Sequence, residues 1–241
     1  EAIRAVAGPY ADPRPVDEIV AQLGLGPYMT QAIGSLSGGW ARRLDVVLAC
    51  IGRPSALVLD EPMAALDVTA RAQMRSVVGR RAAEEGLTVL LVTHDLGVAS
   101  EVGDRIQVMY AGEILESAPK RELLLRPAHP YTWALLRSVP CPGGSGRPML
   151  YSLSGTPPDL IEDPGARPAC PFAPRCDYCM EICTRAAPPE LLLPSPESDP
   201  GRNPEGEGHR VRCWLRHPLA PHVAVPEGIR CPKAGRKGAT A

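Results

Sequence analysis

The chain has 241 residues, and its 26 Lys and Arg nearly balance its 27 Asp and Glu. A chain of this length can bury one core and leave a smaller part over, while the charge balance creates no field that would attract nucleic acid. The sequence also lacks an apolar run near the roughly 20 residues that span a bilayer, and its first residues do not resemble a signal peptide. These features exclude a nucleic-acid partner and a membrane-spanning protein, and we expect a cytosolic chain.

Helical and strand patterns alternate along the first part of the chain. Apolar residues at helical spacing predict helices over 15–25, 40–51 and 68–85. Short apolar runs predict buried strands over 56–59 and 87–92, followed by a hairpin over 105–115 and helices over 120–126 and 131–138. This alternation predicts an α/β domain over residues 1–139.

The composition changes after this domain. Residues 140–150 have the Pro and Gly content of a linker. Residues 151–216 form a small appendage that is rich in Cys and Pro, has few apolar runs and is expected to need a metal to fold. Residues 217–241 lack periodicity and are expected to form a loose tail.

Polar side chains follow the two predicted buried strands. Asp60 and Glu61 end the first strand, and His94 follows the second. At the carboxyl edge of a parallel sheet, one carboxylate can hold Mg²⁺ while the other orients a water for attack on a phosphoryl group, and the imidazole can contact a terminal phosphate. The alternative is a solvent-facing acidic pair and a surface histidine.

A Ser-Gly-Gly turn precedes the helix predicted over 40–51. Ser37, Gly38 and Gly39 can direct backbone N–H groups, a hydroxyl and the positive end of the helix dipole at a phosphate. An ordinary N-cap with a flexible turn is the alternative.

The order and spacing of these motifs resemble those of the ATP-binding-cassette (ABC) ATPases, a P-loop NTPase family. The matching motifs are its signature, Walker B, D-loop and switch histidine, at residues 36–39, 58–62, 65–67 and 92–95. The resemblance implies that Asp60 coordinates Mg²⁺ and that Glu61 is the catalytic carboxylate of an ATPase.

The same resemblance implies roles for the other motif residues. His94 would sense the γ-phosphate of ATP, and Asp67 would lie at a dimer interface. Ser37, Gly38 and Gly39 would act on nucleotide held by a second ATPase subunit.

The phosphate-binding loop of this family is not found in the sequence. It requires Gly-x-x-x-x-Gly-Lys followed by Ser or Thr, and the sequence contains no Gly-Lys dipeptide. Residues 1–40 also show no strand pattern that would open a parallel sheet. We therefore expect a partial ABC domain that begins inside the fold and does not hydrolyse ATP as an isolated chain.

Four later segments narrow the resemblance to peptide and nickel importer ATPases. They are residues 95–112, 129–136, 155–160 and 170–176. The resemblance implies an ATPase subunit that energises import of dipeptides or oligopeptides from the cytoplasmic face of the membrane. Its implied partners are a second ATPase subunit, transmembrane permeases and, indirectly, an extracellular peptide-binding protein.

The cysteines of the appendage suggest a metal centre. The resemblance implies a ligand set that in some relatives holds a four-iron, four-sulfur cluster, here Cys170, Cys176, Cys183 and Cys213. Thiolates suit Zn²⁺ equally well, and Cys179 falls outside the pattern as a spare or substitute ligand. Free thiols in a mobile segment are the alternative.

Two other functions stay open at this point. One is a non-catalytic partner that supplies signature residues to a second subunit. The other is a metal- or redox-responsive regulatory module in which the ATPase motifs are structural.

Overall fold

The chain divides into two units, Glu1–Val102 and Gly103–Ala241. In the described ranges, every helix is too short or too polar to cross a bilayer. The computed structural model describes residues 2–22, 24–64, 66–138, 153–157, 169–194 and 208–226.

Helices alternate with parallel strands in the first unit. Its elements are α1 (Ala2–Ala7), α2 (Val16–Gln22), α3 (Gly38–Cys50), β1 (Ala56–Asp60), α4 (Val68–Glu85), β2 (Thr88–Val92) and α5 (Leu96–Val102). β1 and β2 pair in parallel, with Asp60 opposite Val92. The predicted helices and strands of this unit and the α/β class are confirmed, while α1 and α5 were not predicted.

The core of the first unit lies on one face of the two strands. Leu57 and Leu59 of β1 are buried there, together with Ile51, Met74 and other apolar residues of the helices. The opposite face carries apolar side chains that stay exposed, because side chains alternate across a strand. They are Val58, Leu90 and Val92, which are 67%, 55% and 47% exposed.

The longest helix has a defined start and stop. Asp67 caps α4 by accepting a hydrogen bond from the backbone N–H of Ala70 at 2.8 Å. Gly86 ends the helix in the left-handed conformation, with φ of 65°. These two signals fix where the chain leaves the sheet after β1 and returns to it as β2.

The second unit is built on a four-stranded antiparallel sheet. Its elements are β3 (Arg105–Tyr110), β4 (Glu113–Pro119), α6 (Lys120–Leu125), α7 (Pro130–Ser138), α8 (Glu181–Arg185), β5 (Glu190–Leu193) and β6 (His209–Arg212). The strand order is β3-β4-β6-β5. The β3–β4 hairpin and helices α6 and α7 were predicted, whereas α8, β5 and β6 were not.

Strands from both sides of the predicted linker therefore share one sheet. The linker itself, residues 140–150, lies outside the described residues, so that domain boundary stays a prediction. The predicted tail shows no helix or strand over residues 217–226, and residues 227–241 lie outside the described part.

One expectation about the appendage is wrong. Its low apolar content predicted a segment without a core, but Phe172 and Val211 are each 1% exposed. Phe172 packs with Tyr110 and Leu115 of the β3–β4 hairpin, and Val211 lies in a second small cluster with Ala128. The segment folds by packing on strands earlier in the chain, which its own composition does not reveal.

A buried polar network anchors the start of α7. Glu116 of β4, only 1% exposed, accepts hydrogen bonds from the backbone N–H groups of Ala128 and His129 at 2.7 and 2.9 Å. It also accepts one from the Thr132 hydroxyl at 2.5 Å, and its Oε1 lies 2.7 Å from Nε2 of His209. Residues 129–131 thus begin a helix, and the buried carboxylate satisfies the backbone N–H groups of Ala128 and His129 just before it.

Candidate functional site

The paired strands bring the predicted site residues to one edge. Because β1 and β2 run in parallel with Asp60 beside Val92, the residues that follow each strand emerge side by side. The backbone N–H of Glu61 donates to the carbonyl of Val92 at 2.9 Å, which extends the pairing by one residue. This edge is where open parallel sheets place ligands.

Glu61 turns sharply away from β1. Its φ of 45° lies in the left-handed region, which costs a residue with a side chain about 1 kcal/mol or more. Such strain persists only where surrounding contacts hold it, and here it directs the carboxylate toward the residues after β2. Strained backbone at a strand end is typical of functional sites.

The carboxylate of Glu61 is held by the segment after β2. Its Oε1 accepts the backbone N–H of His94 at 2.8 Å and lies 2.6 Å from Nδ1 of the same residue. The Thr93 hydroxyl donates to Oε2 at 3.3 Å. The structure therefore brings Glu61 and His94 into contact, and it adds Thr93.

These contacts favour the ionised form of Glu61. Partial burial alone would raise the pKa of the carboxyl group, but hydrogen bonds from the ring and backbone of His94 and from Thr93 lower the pKa below its ordinary value. The His94 side chain itself is 84% exposed. An ionised, fixed carboxylate beside an accessible imidazole can orient a water and meet a ligand from solvent.

The two other acidic candidates differ from Glu61 in their surroundings. Asp60 is exposed at the end of β1, where a hard cation could reach its oxygens. Asp67 is exposed as well, but one of its oxygens is already used to cap α4. The cap explains why an aspartate stands at position 67, so its dimer-interface role stays a prediction.

Ser37, Gly38 and Gly39 lie at the start of α3, and the hydrogen bonds around Glu61 do not include them. Ser37 is the N-cap residue, yet within the described residues its side chain makes no capping bond. A Cβ added at Gly38 would meet no atom of the described residues within 4 Å, so packing among those residues does not require glycine there. The open helix start leaves its N–H groups available to a phosphate.

Sequence reasoning missed two supports of this site. Thr93 and Asp95 flank His94, and the backbone N–H of Asp95 donates to the Thr93 hydroxyl at 3.1 Å. Asp95 then caps α5 by accepting the N–H of Gly97 at 2.9 Å. The sequence could have indicated both residues, because Thr and Asp side chains between a strand and a helix commonly bond to the backbone and fix the loop.

The cysteines of the second unit lie near one another without forming a ligand set. Burial raises the pKa of the Cys176 and Cys213 thiols to about 12, and a nearby Cys170 adds to both shifts. Nevertheless, no three His, Cys, Asp or Glu side chains among the described residues converge as metal ligands would. As placed, Cys170, Cys176, Cys183 and Cys213 are neighbours whose thiols do not converge on one point.

Comparisons with known proteins confirm the resemblance to ATP-binding subunits of peptide importers. Residues 115–183 match the family described as "Oligopeptide/dipeptide transporter, C-terminal region". The chain is 38% identical over 200 residues to the dipeptide transport ATP-binding protein DppD of Bacillus subtilis, covering 83% of this chain and 55% of that protein. It is 40% identical over 158 residues to the oligopeptide transport ATP-binding protein OppD of Salmonella typhimurium, covering 66% of this chain and 46% of that protein.

The chain thus spans about half the length of the curated relatives it matches. Among solved structures, it is similar to the dimeric structure of MJ0796, a bacterial ABC transporter cassette, with 28% identity and a TM-score of 0.42. That match covers 44% of this chain and 46% of the other.

Proposed function

Because this chain belongs to the family of ATP-binding subunits of dipeptide and oligopeptide transporters, we propose that it forms part of an ATPase subunit that energises peptide import. One observation carries the proposal. The strained, ionised Glu61 is fixed by Thr93 and His94 at the edge of a parallel sheet, where phosphoryl-transfer chemistry is expected.

Each residue of the edge has a separate task in this proposal. Glu61 orients the attacking water, and its lowered pKa keeps it an acceptor at neutral pH. His94 holds that carboxylate and presents an exposed imidazole toward the nucleotide. Asp60 has the carboxylate chemistry that Mg²⁺ prefers, and the ion would neutralise phosphate charge when bound with ATP.

Ser37, Gly38 and Gly39 would serve a nucleotide held by a second ATPase subunit. The open space around Gly38 supports this proposal, since no atom of the described residues lies within 4 Å of a Cβ placed there. We further propose that the assembled subunits work with transmembrane permeases on the cytoplasmic face of the membrane, supplied by an extracellular peptide-binding protein. Asp67 would lie at the interface between the ATPase subunits.

The absent Gly-Lys dipeptide limits what the 241-residue chain does by itself. Because the sequence lacks the glycine-rich phosphate-binding loop and its lysine, we expect negligible ATP hydrolysis by the isolated chain. Phosphate release above that of a Glu61→Gln variant of the same chain would contradict this expectation.

The decisive experiment uses the transporter complex with the subunit that carries this sequence at full length. Glu61→Gln should abolish ATP turnover while ATP-dependent association of the ATPase subunits persists, because the amide keeps the shape but cannot act as the carboxylate does. Glu101→Gln, an exposed glutamate of α5, is the matched control and should retain turnover. Undiminished turnover in Glu61→Gln would refute the catalytic assignment and favour a non-catalytic subunit.

A metal centre at Cys170, Cys176, Cys183 and Cys213 is a separate proposal. Its support is the proximity of the thiols, since Cys170 affects the pKa of both Cys176 and Cys213. Protein purified without oxygen should then contain iron with acid-labile sulfide, or about one zinc per chain, and should lose it in Cys176→Ser but not in Cys179→Ser. If the purified protein contains no metal and Cys176→Ser is as stable as the wild type, the proposed metal centre is refuted. The metal-responsive regulatory alternative is then refuted as well.

A further inference from the structure

Arg71 of the first unit contacts two segments that have different roles in the proposed function, the loop before α4 and the segment after β2. Arg71, in the first turns of α4, donates from Nε to the carbonyl of Leu66 at 3.0 Å. Its Nη1 lies 3.6 Å from Oδ2 of Asp95. A single guanidinium therefore links the loop before α4 to the segment after β2.

The link continues from Asp95 to the carboxylate of Glu61. The backbone N–H of Asp95 donates to the Thr93 hydroxyl at 3.1 Å, and that hydroxyl donates to Glu61 at 3.3 Å. The other oxygen of Asp95 accepts the N–H groups of Gly97 and Val98 at the start of α5, which fixes the aspartate in place. A continuous set of polar contacts thus runs from the Leu66 carbonyl to Glu61.

Helix stability does not explain a cation at position 71. Arg71 lies near the amino end of α4, where the helix dipole disfavours positive charge. The ion pair with Asp95 contributes little in return, because both side chains are more than 40% exposed (42% and 43%). What the guanidinium provides is geometry, since its planar fork reaches two acceptors at once.

We propose that Arg71 is a positioning residue that couples the loop of Leu66 and Asp67 to the orientation of Glu61. The proposal rests on the proposed function, in which that loop faces a second ATPase subunit. Contact at the subunit interface would then be transmitted through Arg71 and Asp95 to the carboxylate that orients the attacking water. Loss of the link leaves nucleotide binding intact and misplaces Glu61.

Steady-state kinetics of the intact transporter complex test the coupling. Arg71→Gln should lower kcat roughly tenfold while KM for ATP changes less than about twofold, because positioning is lost without loss of binding. Arg71→Lys should recover part of the rate, since it keeps the charge but not the fork. The matched control is Arg75→Gln, one turn further along α4, whose pairing with Glu101 lies outside the path.

Asp95→Asn sharpens the test because its amide oxygen can still cap α5. It should reproduce the kcat loss of Arg71→Gln, and the double variant should be no slower than either single variant, as expected for residues in one path. Additive losses would overturn the coupling. Equal kcat values for Arg71→Gln and Arg75→Gln in a complex whose wild type hydrolyses ATP would overturn it as well.

Hydrogen–deuterium exchange on the 241-residue chain gives a readout independent of ATPase activity. The amides of His94 and Asp95 are bonded to Glu61 and Thr93, so they should exchange several-fold faster in Arg71→Gln than in Arg75→Gln. Identical exchange in the two variants would refute the link, even if Glu61 proved catalytic. An inactive wild-type complex with the expected exchange would instead refute the proposed function and keep the link as a structural one.

Discussion

Each unit of the molecule contains a glutamate beside a histidine, and the two pairs differ chiefly in burial. In the first unit, Glu61 lies 2.6 Å from a His94 side chain that is 84% exposed. In the second unit, Glu116 lies 2.7 Å from His209, and their side chains are 0% and 4% exposed. The same two residue types at nearly the same distance therefore form an accessible site in the first unit and a buried structural contact in the second.

The partners of each carboxylate explain the difference. Glu116 is surrounded by donors from β6, α7 and the turn before α7, so both of its oxygens are fully used inside the fold. Glu61 is held from one side only, on strained backbone beside an exposed imidazole. A buried, satisfied carboxylate holds elements together, whereas a held but accessible one can act on a ligand.

The largest effect we predict is on the buried pair. Glu116→Gln should destabilise the protein by about 3–5 kcal/mol, because an amide has one acceptor oxygen and would turn its NH2 group toward the N–H donor of either Ala128 or His129. Chemical denaturation followed by far-UV circular dichroism measures the change. Glu61→Gln should alter the same stability by less than about 1 kcal/mol, since its pair is exposed.

A similar loss of stability in Glu116→Gln and Glu61→Gln would contradict the proposed difference between the two pairs. It would mean that Glu61 also holds the fold together, and the catalytic assignment would lose its structural basis. A further control on β4 itself is Glu113→Gln, which removes a surface contact with Arg212 and should cost less than about 1 kcal/mol.

The second prediction concerns His129, which is 1% exposed. Burial lowers its pKa from 6.5 to about 4, with Arg216 also lowering and Glu116 raising it. The unfolded chain therefore binds more protons than the native state between these values, so the stability is fully present above about pH 6.5 and is lost as the pH falls toward 4. The loss amounts to about 3 kcal/mol from this residue.

His129→Asn tests that pH dependence. The amide oxygen of Asn can accept the N–H of Tyr131 as Nδ1 does at 3.0 Å, but it does not titrate. Denaturation curves between pH 7 and pH 4.5 should fall less steeply for the variant than for the wild type. Parallel curves would show that His129 is not held neutral in the native state.

The first unit was largely predictable from the sequence because its signals are local. Apolar runs marked β1 and β2, helical spacing marked α3 and α4, and parallel strands necessarily bring Glu61 and His94 to one edge. What could not be predicted is the strained φ of Glu61 and the reach of Arg71 to Asp95. These depend on side-chain and backbone geometry that a residue pattern does not specify.

The second unit was less predictable because its contacts are distant in sequence. Glu116 meets His209 across 93 positions, and β6 presents that histidine on its buried face, so the strand shows no apolar alternation. A short strand with a polar residue inside resembles a loop when only local pattern is considered. The misjudged core of the appendage follows from the same cause, since Phe172 is buried by residues of the β3–β4 hairpin.

The smallest effect that we predict is that of Leu90→Ala, on the exposed face of the parallel sheet, and Leu59→Ala on the buried face is its comparison. Leu59→Ala should cost about 2–5 kcal/mol, because Leu59 is 7% exposed and its removal leaves a cavity. Leu90→Ala, on the 55% exposed face, should cost less than about 1 kcal/mol in the same chain. Parallel sheets are normally covered on both faces, so in a full-length subunit Leu90→Ala should cost more than it does here. If Leu90→Ala lowers the free energy of unfolding equally in the 241-residue chain and in the full-length subunit, this face stays open to solvent in both. A large loss in the 241-residue chain would show that the face is already covered there.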